Sequence, residues 1–323
     1  MKRVGLVLGA GGVVGQAHHS GVLAALEHDL GWDPRTAEVI VGTSAGSITG
    51  TLLRSGVPAS ELAAWSVRAP LAAEGALLER LFGTEHPQFD PFDAGQLLRK
   101  APSLPGPLMV KRAVTRPWHF RPMAAAMSLL APGTVDIRDQ LTALREVEDQ
   151  AWPQDPLWIC SVRRRDGRRT VFGRPGTPEV PLHLAVASSC AVPGYFAPVE
   201  IGNQTYVDGG AHSPTNAAVL RDCDLDLVII VSPMSGPSGG VVKYLYEASR
   251  WHAGRLVRRE ANAIRASGTA VVVFSPGEAE QEVMGDDFMS SDTVTDIVQE
   301  SFLAAGAHAA KPGTRELLAG LKR

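Results

Sequence analysis

The chain has 323 residues, 45% of them apolar, and a formal charge of −3. That is enough apolar sequence for one large α/β domain, with two as the alternative, and the near-neutral balance argues against nucleic-acid binding. The three cysteines, Cys160, Cys190 and Cys223, are odd in number and far apart, which argues against a disulfide framework or a zinc site and fits a reducing, cytoplasmic setting.

Met1-Lys2-Arg3 runs directly into Val4–Leu8 (VGLVL), an apolar run too short for a signal sequence and soon broken by glycines. No stretch of about 18 or more apolar residues follows, so no transmembrane helix is expected. Val4–Leu8 reads as a buried strand. It leads into Gly9-Ala10-Gly11-Gly12-Val13-Val14-Gly15 and then a helix expected over Gln16–His28. A dinucleotide loop would place a third glycine at position 14, where Val14 stands. The following strand would end in an acid for a ribose, and it ends in Gly42 instead. No lysine of a phosphate-binding loop follows. An oxyanion loop, with backbone N–H groups aimed at a developing negative charge, is the preferred reading.

Val39–Val41 is the next strand, and Ser47–Leu53 reads as a helix. Between them lies Gly42-Thr43-Ser44-Ala45-Gly46, a G-x-S-x-G turn. Glycine at Gly42 and Gly46 lets a strand and a helix pass closely, and the bend pushes Ser44 out over a helix N-terminus. The N–H groups and dipole there favour negative charge, which suits a nucleophilic hydroxyl.

From Pro58 to Gln150 the chain reads as short helical patches (Glu61–Val67, Ala94–Lys100, Ala124–Leu130, Leu141–Asp149) broken by prolines, with no alternating strand. A helical lid over roughly residues 57–150 is expected. Within it Leu108–Arg112 and Arg116–Met123 mix basic side chains with Trp, Phe and Met. That suits peripheral contact with anionic lipid, or equally a lid segment packed on the core. Leu157–Val162 and Thr170–Phe172 are strands around an Asp166-Gly167 hairpin turn carrying five arginines, read as a solvated tip. A helix over Leu182–Ser189, a turn at Val192–Phe196, and a hairpin of Val199–Ile201 with Thr205–Val207 follow. That hairpin ends in Asp208-Gly209-Gly210. Asp208 is a candidate partner for Ser44, or an aspartate capping the turn. A strand over Leu225–Val231, a long helix over Val241–Ala266, a strand over Ala270–Phe274, a helix over Thr293–Ala310 and a short basic helix from Glu316 complete the chain. Strands alternating with helices imply an open, mostly parallel sheet with helices on both faces, a three-layer α/β/α fold.

A serine hydroxyl needs a base. His252 and His308 fall inside helices, and His212 follows the glycine turn without any context that marks it as catalytic. The alternative is a dyad in which Asp208 takes the proton from Ser44. A free aspartate has a pKa near about 3.9 and is a poor base at neutral pH. Partial burial would raise it.

Three blocks together resemble the patatin-like phospholipase family: Leu8–Gly15 as its glycine-rich oxyanion loop, Gly42–Ser47 as its G-T-S-A-G-S nucleophile turn, and Asp208-Gly209-Gly210 with Ala187–Gly194 upstream and Pro214-Thr215-Asn216 downstream. The resemblance implies a bacterial-type serine lipid acyl hydrolase (carboxylic ester hydrolase) with a Ser-Asp dyad and no histidine, metal or cofactor. It implies Ser44 as nucleophile, Asp208 as base, and Gly11 and Gly12 as oxyanion donors. Gly9, Gly15, Gly42, Gly46, Gly209 and Gly210 shape the three turns. The family commonly carries a basic residue where this chain has Val14. The implied partner is a lipid or fatty acyl ester. A nucleotide-dependent oxidoreductase and a lipid-binding protein with a dead site are the rival readings.

Overall fold

The computed structural model describes residues 2–89, 104–115, 122–147, 152–236 and 244–321. The strands are β1 (Val4–Leu8), β2 (Val39–Thr43), β3 (Leu157–Arg163), β4 (Arg168–Phe172), β5 (Val199–Ile201), β6 (Gln204–Asp208), β7 (Leu227–Val231) and β8 (Ala270–Phe274). They form one mixed sheet in the order β5-β6-β3-β2-β1-β7-β8, with β4 also paired to β3. The β3-β2-β1-β7-β8 core is parallel, and the β3–β4, β3–β6 and β5–β6 pairs are antiparallel.

The apolar runs in β1 and β7 are continuous because both faces of the sheet are covered. Leu6, Leu8, Leu227, Ile229 and Val231 face one cluster. On that side lie α1 (Gly12–Leu30), α2 (Ala45–Arg54), α3 (Ala59–Ser66), α4 (Ala76–Phe82), the C-terminal helices and Leu182–Cys190. Val7, Val228 and Ile230 face the opposite way, toward the long helix over Tyr244–Arg265 and a 3-10 turn at Ala217–Leu220. This is the three-layer fold expected.

Between residues 57 and 150 the described segments beyond α4 form α5 (Pro107–Thr115), α6 (Pro122–Ser128), α7 (Ile137–Gln140) and a 3-10 turn at Thr142–Val147. The expected patch at Ala94–Lys100 and the stretch 116–121 lie outside the described residues. After them come α8 (Leu182–Cys190), α9 (Tyr244–Arg265), α10 (Glu278–Met284), α11 (Val294–Ala310) and α12 (Pro312–Leu318). Among the described residues no helix is long and apolar enough to cross a membrane.

Four expectations need correction. The first helix starts at Gly12 rather than Gln16, so the glycine loop runs straight into it. Helix α10 is absent from the sequence reading; its start is held by the Gly277 N–H donating to Glu280 Oε2 (2.7 Å) in place of a side-chain cap. The last helix begins at Pro312, where proline suits a first helical position, rather than at Glu316. The hairpin tip is solvated only in part: Arg165 and Arg168 are exposed, while Asp166 and Gly167 are buried. Asp166 pairs with Arg163 through two bonds of 3.0 and 2.7 Å, Arg164 donates to the Leu130 carbonyl (3.0 Å), and Gly167 lies against Ala125 of α6.

Candidate active site

Ser44 stands between β2 and α2 with φ 53° and ψ −123°. A non-glycine residue there costs on the order of 1–3 kcal/mol and persists only where its surroundings fix it. Its carbonyl accepts from the Ser47 hydroxyl (2.7 Å) and the Ser47 N–H (2.7 Å). Its N–H donates to Ser189 Oγ (2.9 Å). The close approach rests on Gly46, where a β-carbon would sit 2.0 Å from the Leu8 carbonyl oxygen. At Gly46 helix α2 therefore comes up against the backbone of strand β1, and the Ser44 turn comes beside the loop that follows β1.

In that loop Gly9 donates to the Val231 carbonyl (2.9 Å) and Ala10 to the Pro214 carbonyl (2.7 Å), which ties it to β7 and to the turn after β6. Gly12 has φ 61°, and a β-carbon on it would lie 2.3 Å from the Phe288 carbonyl oxygen. Gly15 donates back to Gly11 (2.8 Å) and closes the first helical turn. Among the described residues no acceptor pairs with the N–H groups of Gly11, Gly12 or Val13. Free donors at a helix start are the equipment of an anion site. Val14 is buried in an apolar cluster with Met284, Val294 and Ile297, so a basic group has no place at that position in this chain. His19, fully buried on α1, interacts with the Gly9 backbone and has its pKa lowered to about 3, first by burial and then by His18. It stays neutral and contributes shape rather than charge.

Asp208 ends β6, opposite Ser161 of β3. Its N–H donates to the Ala191 carbonyl (2.9 Å), and its Oδ1 accepts from the Gly210 N–H (2.6 Å). Its side chain interacts with that of Ser44. Burial pushes its pKa up to about 7, against the lowering influence of Ser44 and the Gly210 N–H. Removal of the carboxyl from water thus outweighs both hydrogen-bonding neighbours. Gly209 passes over β3, with room for no β-carbon beside the Cys160 carbonyl, and Gly210 lies near Ala10 of the glycine loop. All three turns therefore meet at the C-terminal edge of the sheet.

His212 is half-buried on the turn that follows Asp208-Gly209-Gly210. Its Nδ1 lies 3.2 Å from Asn216 Oδ1. His252 is exposed on α9, and His308 on α11 stands edge-on to Phe274.

Two residues without an assigned role in the sequence reading hold the site together. Ser189 contacts the Ser44 backbone, as above. Asn216, fully buried with φ 52°, donates through Nδ2 to Thr43 Oγ1 (3.2 Å), the Gly209 carbonyl (3.1 Å) and the Ser213 carbonyl (2.8 Å). It ties the neighbour of Ser44 to the neighbour of Asp208. The available signal was an Asn in a Ser-Pro-Thr-Asn turn, a residue type that tolerates the left-handed region. Glu260 of α9 braces the same turn by accepting from Thr215 Oγ1 (2.7 Å) and the Ala217 N–H (2.9 Å). No group of three or more His, Cys, Asp or Glu side chains among the described residues could hold a metal ion.

No curated protein sequence matches the chain. Among solved structures it is similar to the type III effector protein ExoU, with 17% identity over 98% of this chain and 53% of that one, at a TM-score of 0.40. The ExoU-SpcU complex of Pseudomonas aeruginosa matches with 21% identity over 95% of this chain and 51% of that one, at 0.38. VipD from Legionella pneumophila matches with 11% identity over 98% and 67%, at 0.44. The chain spans about half the length of ExoU. A family model described as patatin-like phospholipase matches residues 6–221, well over half of the sequence and all three turns of the site. The chain belongs to the patatin-like phospholipase family.

Proposed function

We propose that the protein is a serine lipid acyl hydrolase that cleaves fatty acyl esters through Ser44 and Asp208. The observation that supports this is the meeting of a strained serine, a buried carboxyl with a pKa near 7 and unpaired N–H groups at one sheet edge. Ionised Asp208 takes the hydroxyl proton as Ser44 Oγ bonds to the acyl carbon, and the N–H groups of Gly11 and Gly12 stabilise the oxyanion. Asp208 then gives the proton to the leaving alcohol. In the second half it takes a proton from water as the water oxygen bonds to the acyl carbon, and returns that proton to Ser44 Oγ as the ester bond to Ser44 breaks, which frees the fatty acid. The helical segments between residues 57 and 150 supply the apolar cover for the acyl chain.

The test is turnover of p-nitrophenyl esters of increasing chain length and then of phospholipids, together with mass-spectrometric mapping of a fluorophosphonate adduct. Turnover with the adduct on Ser44 is the expected result. An unlabelled, inactive protein that still binds lipid would favour the dead-site reading.

The same reading includes a bilayer surface as partner. Leu104 is 90% and Val114 75% exposed, and Leu108, Val110 and Lys111 of α5 are exposed with them. Gly106, at the start of that helix, lies beside the Arg165 backbone of the β3–β4 tip, where Arg165 and Arg168 are exposed. Because β3 runs parallel to β2, this tip extends from the edge that carries Ser44. Apolar side chains flanked by cations suit an anionic membrane. Leu104→Glu combined with Val114→Glu is expected to lower co-sedimentation with phosphatidylglycerol vesicles by about ten-fold. Unchanged co-sedimentation would remove α5 from the membrane contact.

A further inference from the structure

We propose that Ser189 is a positioning residue for the reaction at Ser44. The β2–β3 ladder ends at the Thr43–Cys160 pair. Beyond it the chain bends away, and the Ser189 hydroxyl is inserted between the two strands. It accepts from the Ser44 N–H (2.9 Å) and donates to the Cys160 carbonyl (2.7 Å). One fully buried hydroxyl thus satisfies both backbone groups at the bend and anchors the strained nucleophile to β3. Its partner on the other side of the Ser44 residue is Ser47, whose hydroxyl donates to the Ser44 carbonyl.

The same turn of chain also holds the other half of the proposed dyad. Two residues on, the Ala191 carbonyl accepts the Asp208 N–H (2.9 Å), and the buried Cys190 thiol lies 3.7 Å from Ser47 Oγ. The C-terminal turn of α8 therefore fixes the backbones of Ser44 and Asp208 relative to each other. The spacing of hydroxyl and carboxyl is set by this brace, and Ser189 is its link to the nucleophile. Small displacements of reacting groups cost about 10²-fold in rate.

The neighbouring Ser188 provides the comparison. It is equally buried in the same helix, and its hydroxyl pairs with Ser161 Oγ (2.7 Å) and donates to the Ala185 carbonyl (2.8 Å), rather than bonding to the Ser44 backbone. The experiment measures kcat and KM for p-nitrophenyl butyrate, and melting temperature, in the full-length wild type, Ser189→Ala, Ser189→Cys and Ser188→Ala. Both alanine variants are expected to melt lower than wild type. Ser189→Ala is expected to lose about 10²-fold in kcat with KM changed by less than about three-fold, and Ser188→Ala to keep kcat within about three-fold. Ser189→Cys, close in shape but a weak hydrogen-bonding group, is expected to fold and to lose at least about ten-fold in kcat, and it carries the test if Ser189→Ala does not fold. Wild-type kcat in a folded Ser189 variant, or an equal loss in Ser188→Ala, would overturn the proposal. The inference rests on the proposed role of Ser44. A wild type that turns over no ester defeats that reading, whereas an active wild type with an unimpaired Ser189 variant defeats this one alone.

Discussion

Ser44→Ala and Asp208→Asn are each expected to lower kcat by about 10³-fold or more, while His212→Ala is expected to stay within about three-fold of wild type. Ser44→Ala removes the atom that bonds to the acyl carbon, and Asp208→Asn removes the proton acceptor while leaving an oxygen for the Gly210 N–H. The two losses should not add in the double variant, because the groups act as one unit. The raised pKa of Asp208 gives this prediction a pH dependence. The base must be ionised, so kcat/KM should climb with pH through an apparent pKa near 7 and level off above it. A climb centred near 4 would mean that the carboxyl is not buried as described, and loss of the climb in His212→Ala would transfer the role to the imidazole.

The same burial has a consequence for stability with the opposite trend. The folded-state pKa lies above the unfolded value of about 3.9, so the native protein holds the proton more tightly and stability falls as pH rises between about 4 and 7. Ionising this carboxyl in place costs on the order of 4 kcal/mol at most. Asp208→Asn should therefore melt higher than wild type at pH 8, by less at pH 5, and close to it near pH 4. Removing the proposed base would stabilise the fold while stopping the chemistry, the trade expected of a group held in an unfavourable state.

Much of this site was legible in the sequence, and the reasons differ by residue. Strands β1 and β2 announce themselves as short apolar runs ending in glycine, and the G-x-S-x-G turn is a local pattern whose geometry follows from the missing β-carbons. Asp208 could be placed at a strand end and a rise of its pKa on burial was expected, but the elements that bury it, β3, α8 and the glycine loop among them, could not be read because they are distant in sequence. Ser189 and Asn216 were invisible as supports for the same reason: each acts on a backbone group supplied by another element. The start of α1 was missed because a glycine run has low helix propensity, and here packing of Gly11 and Gly12 against Pro233 and Phe288 overrides it. The hairpin tip read as solvated because its arginines are charged. Pairing of Arg163 with Asp166 and the docking of α6 over Gly167 are tertiary facts.

Gly46→Ala is expected to cost more than about 4 kcal/mol and to leave little soluble, folded protein. In an ordinary helix interior, replacing glycine with alanine gains up to about 1 kcal/mol. At Gly46 the sign reverses, since the new methyl would fall 2.0 Å from the oxygen and 2.4 Å from the carbon of the Leu8 carbonyl. Those are backbone atoms of a central strand, paired on both sides with β2 and β7, so relief requires α2 to separate from the sheet. Separation draws Ser44 away from the glycine loop, and whatever fraction folds should also fail to react with a fluorophosphonate. Gly254→Ala in α9 is the matched comparison, because its β-carbon would meet nothing nearer than 3.6 Å. That variant should melt at or slightly above the wild-type temperature. A Gly46→Ala protein that melts like wild type would mean that strand and helix have room between them, and that contact is what brings the serine turn and the glycine loop to one place.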